Sequence, residues 1–271
     1  MKIDLHNHTN YSDGILTPLE LLQHAKENNV EIMALTDHDS VFGCEEIYEL
    51  SNKLGVKVIK GMELSTYYDN HPVHIVCLFK NNIIPEDMIK FSKEKDESRR
   101  NRAIKMMKKI RDIYGMKVDI DALLKESRII TRANMLRNVA RCNNISNKEA
   151  AVYINNDSKA YIPSSKVSVE EGLAIAKKAG CFTILAHPCL SPDYVIDAII
   201  GLGFDGIEVR YPSEKNDEER FIKLAKEYNL MISAGSDCHG DDTHAPIGTS
   251  TLNYEEFLPI ANALNLYNKE A

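Results

Sequence analysis

Short apolar runs recur along this 271-residue chain, and most of them end in a residue able to hold a metal ion. Residues 2–5 lead directly into His6-Asn7-His8. In an extended segment side chains two apart share a face, so both imidazoles can reach one ion. Residues 31–36 run into Asp37-His38-Asp39, and residues 56–60 into Gly61-Met62-Glu63-Leu64-Ser65. Residues 181–186 run into His187-Pro188, and residues 230–234 into Gly235-Ser236-Asp237-Cys238-His239-Gly240. A further run, 73–79, carries His74, and 206–209 ends near Arg210.

Helical segments separate these runs. Thr17-Pro18-Leu19-Glu20 predicts a helix start, with Thr17 as N-cap, Pro18 at the first helical position and Glu20 at the third, running to about residue 28. Further helices are predicted at 44–54 (closed by Gly55), 169–180, 193–202 and 217–228. Strands alternating with helices imply an α/β fold with a mostly parallel sheet. The polar residues then lie just past the strands' C-terminal ends, the face on which a closed β/α barrel builds its active site. Seven predicted strands imply an irregular or incomplete barrel. Residues 85–163 break the pattern. Charges dominate there, helical periodicity is clear in 102–113, and no long β-branched run occurs. This stretch is expected to be a helical insertion, a lid or side domain, between barrel parts 1–84 and 164–271.

An apolar fraction of 44% and a charged fraction of 27% are those of an ordinary protein with a sizeable core. A net charge of −7 argues against a general nucleic-acid coat. The six cysteines include no Cys-x-x-Cys pair and several lie in apolar runs, the pattern of reduced thiols. No apolar run is long enough to span a membrane, and no signal pattern opens the chain. A cytoplasmic protein with no membrane contact and no stable protein partner is expected.

The ligand-type residues at the strand ends and turns are His6, His8, Asp13, His38, Glu63, His74, His187, Asp237 and His239, including six of the nine histidines. Three or four such groups hold one ion, and nine with a bridging carboxylate hold two or three. Nitrogen and oxygen donors without thiolate suit manganese, iron or zinc.

The motifs Asp4-Leu5-His6-Asn7-His8-Thr9, Tyr11-Ser12-Asp13-Gly14, Thr36-Asp37-His38-Asp39, Gly61-Met62-Glu63-Leu64-Ser65, Leu185-Ala186-His187-Pro188 and Gly235-Ser236-Asp237-Cys238-His239-Gly240 follow one another as in a known family. The chain resembles the PHP (polymerase and histidinol phosphatase) metallo-phosphoesterases. The resemblance implies a distorted (β/α)7 barrel with a helical insertion domain and up to three divalent metal ions. It implies that His6, His8, Glu63 and Asp237 hold one ion. Glu63 would bridge to a second, shared with His74 and His187, and Asp13, His38 and His239 would hold the third. Within the insertion, Thr131-Arg132-Ala133-Asn134 resembles the Gly-Arg-Pro-His segment of the nucleotide and oligonucleotide phosphoesterase branch. Only the arginine is kept, so Arg132 is the expected phosphate clamp. Arg102, in the cluster Arg99-Arg100-x-Arg102, and Asn134 complete the expected substrate contacts.

The expected activity is hydrolysis of a nucleotide-like phosphate ester, a nucleoside bisphosphate or the 5′ end of a short oligonucleotide, by a hydroxide bridging the metals. Glu63, Asp237, His187 and His239 are the expected catalytic residues. His187 or His239 would protonate the leaving alkoxide to the extent that metal leaves it free. A histidinol phosphate phosphatase-like enzyme is the alternative reading. A nucleic-acid-binding accessory module with structural metals is the alternative of another class.

Overall fold

The computed structural model describes residues 1–126, 129–163 and 165–267. In chain order, β1 (Lys2–Asp4), α1 (Pro18–Glu27), β2 (Val30–Leu35), α2 (Cys44–Leu54), β3 (Lys57–Tyr68) and β4 (His71–Leu78) come first. The helices α3 (Glu86–Tyr114), α4 (Ile120–Glu126), α5 (Arg132–Asn143) and α6 (Asn147–Ala151) follow. Then come α7 (Val169–Lys178), β5 (Phe182–Leu185), α8 (Asp193–Ile199), β6 (Gly206–Arg210), α9 (Glu218–Glu227), β7 (Met231–Ala234) and α10 (Tyr254–Ala263). The chain divides into two compact units, residues 1–92 with 166–271, and residues 93–165. The domain boundary expected at residue 164 lies outside the described residues.

In the first unit the seven strands form one sheet in sequence order. Pairing is parallel except around β4, which runs antiparallel to both β3 and β5. The reversal follows from the connection. Asp69 and Asn70 both take positive φ, 45° and 64°, and make a two-residue hairpin where a crossover helix would have kept the strands parallel. The sheet closes on itself beyond its first and last strands. Leu5 N–H donates to Ala234 O at 3.0 Å, Asp237 N–H to His6 O at 2.9 Å, and His8 N–H to Cys238 O at 2.9 Å. The result is a distorted seven-stranded barrel.

Side chains alternate across this wall, as the strand period of two requires. Ile3, Leu5, Ile32, Ala34, Ile59, Val76, Leu78, Phe182 and Ile184 fill one buried cluster, together with Phe257, Ile260 and Ala261 of α10 and Leu264 just after it. Their neighbours Met33, Leu35, Val58, Met62, Leu64, Ile75, Cys77 and Leu185 belong to the cluster shared with the surrounding helices. Burying each such Ile, Leu or Phe stabilises the fold by about 1.5–3 kcal/mol. The helix α10 closes the barrel end opposite the strands' C-terminal ends. Leu252 pairs with Ile3 at the start of the barrel, and Leu264 O accepts the N–H of Asn81, just beyond β4.

Two expectations change. The third strand, expected over 56–60 with the Gly61–Ser65 motif beyond it, continues through that motif to Tyr68. Glu63 therefore lies inside β3 rather than past its end. Parallel pairing with β2 stops at Lys60, while pairing with β4 carries β3 on, so Glu63 still clears the rim of the parallel strands. The second change is α10, which the sequence reading did not anticipate.

The second unit has its own core, in which Ala103, Met106, Met107, Ile110, Leu123, Met135, Val139 and Ile154 are buried together. Among the described residues no helix is long and apolar enough to cross a membrane.

Candidate metal centre

The strand ends and the hairpin bring all nine ligand-type side chains together. The β1 extension carries His6 and His8, the β2 extension His38, and the segments after β5 and β7 carry His187, Asp237 and His239. His74 arrives differently. On the reversed strand β4 it lies near the N-terminal end, which the hairpin places on the same face, opposite Ser65 and diagonal to Glu63.

Glu63, fully buried on β3, is the hub. Its Oε1 lies 3.2 Å from His6 Nε2, 3.0 Å from His74 Nδ1 and 3.1 Å from His187 Nε2. Its Oε2 lies 3.2 Å from His8 Nε2 and 2.9 Å from His38 Nδ1. Each oxygen thus faces its own set of imidazoles. Asp237 Oδ1 lies 3.0 Å from His8 Nε2 and 3.5 Å from His6 Nε2. Asp13 stands at the outer side, its carboxylate 3.2 Å from His239 Nε2 and 3.5 Å from His38 Nε2. Among the described residues three ligand groups emerge from these distances: His6, His8, Glu63 and Asp237; His38, Glu63 and His74; and His8, Asp13, His38 and His239. His8, His38 and Glu63 each serve two of them. The centre is dry at Glu63, His6 and His8 and opens to solvent at Asp13, 44% exposed, and His74, 24% exposed.

The residues fit a cation. His6 Nε2, His8 Nε2, Glu63 Oε2 and Asp237 Oδ1 are buried without a hydrogen-bond partner, and they converge on one another. Buried polar atoms left in this way are costly unless something binds them. The opposite ring nitrogens are engaged. His239 Nδ1 donates to Asp237 O at 2.8 Å, which leaves the Nε2 lone pair toward Asp13, and His6 Nδ1 lies 3.3 Å from Glu208 Oε1. This is the pattern by which a neighbouring acceptor fixes the tautomer of a ligand histidine.

Charge balance among these side chains follows from the same contacts. Burial opposes protonation of His6 and His8, but Glu63 and Asp237 outweigh it. His6 is raised well above its ordinary value and His8 is pushed up to about 10. His38 is raised by Glu63 and Asp13 against the same opposition. Burial holds His74 below its ordinary value. For Glu63 and Asp237 burial is overcome by the imidazoles, and both carboxylates lie well below the usual range. A cation bound here would replace these protons.

The sequence reading missed three supports. Asp37, buried after β2, accepts Thr9 N–H and Oγ1–H at 2.7 Å and Ser12 Oγ–H at 2.6 Å, which fixes the turn after His8. Glu208, on β6, meets His6 and accepts the backbone N–H of His187 at 2.6 Å. Tyr211 donates its hydroxyl to Asp237 Oδ2 at 3.0 Å, and burial, then Asp237, push its phenol pKa up. The signal for Asp37 was its place beside His38. Glu208 and Tyr211 carry no local signal.

The remaining expected residues belong to the helical unit. Arg132 is the first residue of α5, behind the N-cap Thr131, and Asn134 closes the capping box with its Oδ1 on Thr131 N–H at 2.8 Å. Arg102 Nε donates to Ile162 O at 2.6 Å. The guanidinium carbons of Arg102 and Arg132 lie 5.5 Å and 5.6 Å from the ring centre of Tyr161.

Comparison with known proteins gives a consistent result. A family profile described as PHP domain matches residues 4–232. The chain is 28% identical over 247 residues to a 5′-3′ exoribonuclease of Haemophilus influenzae, covering 88% of this chain and 90% of that one. It is 28% identical over 250 residues to a 3′,5′-nucleoside bisphosphate phosphatase of Chromobacterium violaceum, covering 88% and 87%. Among solved structures, an inferred metal-dependent phosphoesterase from Bifidobacterium adolescentis superposes with a TM-score of 0.78 at 25% identity, covering 96% of each chain.

Proposed function

The chain belongs to the PHP domain family, and from that premise we propose that it is a metal-dependent phosphoesterase that hydrolyses a nucleotide-type phosphate ester. The substrate is a nucleoside bisphosphate or the 5′ end of a short oligonucleotide, a reading supported by the relatives named 3′,5′-nucleoside bisphosphate phosphatase and 5′-3′ exoribonuclease. The observation that carries this reading is the arrangement around Glu63, whose two oxygens each face a separate set of imidazoles.

In this reading His6, His8, Glu63 and Asp237 hold one divalent ion, and Glu63, His74 and His187 hold a second. Asp13, His38 and His239 hold a third, and the ions are manganese, iron or zinc. When bound, they supply Lewis acidity to the phosphoryl oxygens and lower the pKa of a coordinated water. The chain does the rest. Glu63 and Asp237 offer buried carboxylate at fixed positions, and His187 or His239 protonates the leaving alkoxide only through a ring nitrogen that metal leaves free. The solvent-facing side chains of Asp13 and His74 mark where substrate approaches. Arg132 and Arg102, whose guanidinium groups both pack on Tyr161, are the phosphate contacts in this reading. All six cysteines are free thiols, which fits action in the cytoplasm.

The test is turnover by purified chain loaded with Mn²⁺ on a panel of 3′,5′-nucleoside bisphosphate, 5′-phosphorylated short RNA and histidinol phosphate. Phosphate or mononucleotide release from the first two, abolished by chelator, is expected. Preference for histidinol phosphate would replace the substrate class, and no turnover of any ester would overturn the reading.

A further inference from the structure

Asp237 offers two oxygens, and they are treated differently. Oδ1 is buried without a hydrogen-bond partner and faces His8 Nε2 at 3.0 Å and His6 Nε2 at 3.5 Å. Oδ2 accepts the hydroxyl of Tyr211 at 3.0 Å. Asp237 itself sits at φ 50°, a left-handed conformation unusual for a residue with a side chain.

Tyr211 is firmly placed. It follows Arg210, whose guanidinium is fixed by Glu256 at 2.6 and 2.9 Å and by Glu218 at 2.7 Å. Two residues back, Val209 O accepts the side-chain N–H of Asn216 at 2.9 Å. The tyrosine ring also packs edge-on against His187, with centroids 5.4 Å apart at 62°. One side chain thus touches two of the proposed ligands, from the segments after β5 and β7.

The geometry points to Tyr211 as the positioning residue that commits Asp237 to bind metal through Oδ1 alone while its ring holds His187 in place. The inference rests on the metal-binding reading above. With the hydroxyl on Oδ2, the carboxylate cannot rotate to chelate through both oxygens without giving up a buried hydrogen bond. Without it, Asp237 gains a second, competing orientation.

The test is Mn²⁺ binding, followed by loss of the free-ion EPR signal, in wild type, Tyr211→Phe, Asp237→Ala and the double variant. Tyr211→Phe keeps the ring, and thermal denaturation of the metal-free chains checks that each is folded. Tyr211→Phe is expected to weaken the tightest Mn²⁺ site by about tenfold or more, the usual effect of losing a group that orients a ligand. In the Asp237→Ala background the same substitution should cost less than about twofold, because the oxygen it acts through is gone. A general structural role would cost the same in both backgrounds, and that outcome overturns the proposal. Wild-type affinity in Tyr211→Phe overturns it as well, while leaving the metal reading intact. Failure of the wild-type chain to bind Mn²⁺ overturns both.

Discussion

Glu208 accepts the backbone N–H of His187 at 2.6 Å, at a residue whose φ is 28°. A side-chain-bearing residue keeps such a conformation only where its surroundings hold it. Glu208 does so with Oε2, while Oε1 lies 3.3 Å from His6 Nδ1. Glu208→Gln has one acceptor for two donors, so its amide N–H₂ must face either His187 N–H or His6 Nδ1–H. A buried donor stranded in this way costs about 1–3 kcal/mol, and misplacing both imidazoles should weaken Mn²⁺ binding about 10–100-fold. Urea denaturation and metal titration of the variant measure the two effects. Wild-type values in both would show that Glu208 does not hold this corner.

Glu208 also marks where the sequence stops being informative. His6 and His8 were legible because a two-residue spacing after an apolar run has a direct geometric meaning, and α1 was legible because Thr17, Pro18 and Glu20 carry the chemistry of a helix start. The seven-strand alternation was visible for the same reason. Glu63 was found but misplaced, since nothing in Gly61–Ser65 says that the strand continues, and Asp69-Asn70 is a weaker hairpin signal than a glycine-containing turn. Pro259 inside α10 obscured the last helix. Glu208 sits in an ordinary apolar strand, and Tyr211 in the turn after it. Their contacts with His6, His187 and Asp237 span 21 to 202 residues and exist only once the barrel is closed.

Glu63→Gln should remove hydrolysis and lower bound metal by at least one ion per chain. The amide can present one oxygen, so the imidazoles on one side lose their shared carboxylate. Elemental analysis after reconstitution, alongside turnover, decides this. Undiminished metal content would show that Glu63 does not join two sets of ligands.

The metal-free chain should lose stability as pH rises above neutrality. His8 has a folded pKa pushed up to about 10 by Asp237 and Glu63 against the effect of burial, from an ordinary value of 6.5. A raised histidine pKa stabilises the fold fully below the unfolded value and ceases to do so as pH passes the folded one. With chelator present, Tm should therefore fall between pH 6.5 and about 10. The depressed pKa values of Glu63 and Asp237 act at the other end, and their contribution is lost as pH falls below about 4. Mn²⁺ must displace the histidine protons, so the Tm gain it confers should grow with pH. A chelator Tm that is flat or rising from pH 6.5 to 10 would contradict the imidazolium–carboxylate pairing.

The closing seam of the barrel should tolerate no side chain at Gly235. A Cβ there would lie 2.2 Å from His6 Cβ, 2.6 Å from Glu208 Oε1 and 2.9 Å from His6 N. None of these atoms is the free end of a flexible chain. His6 is tied into the seam by Asp237 N–H on its carbonyl, and Glu208 is held by His187. Gly235→Ala must therefore part the β1 and β7 segments or drive His6 off Glu63. Forcing a methyl into a packed interior costs about 1–3 kcal/mol, and more where backbone must move. Gly201→Ala is the matched control, since its Cβ would meet only the Tyr228 ring at 3.6 Å, an ordinary contact. The expected result is a clear loss of stability and of Mn²⁺ binding in Gly235→Ala, with the control near wild type. Equal behaviour of the two variants in urea denaturation and metal titration would mean that the seam is looser than these distances require.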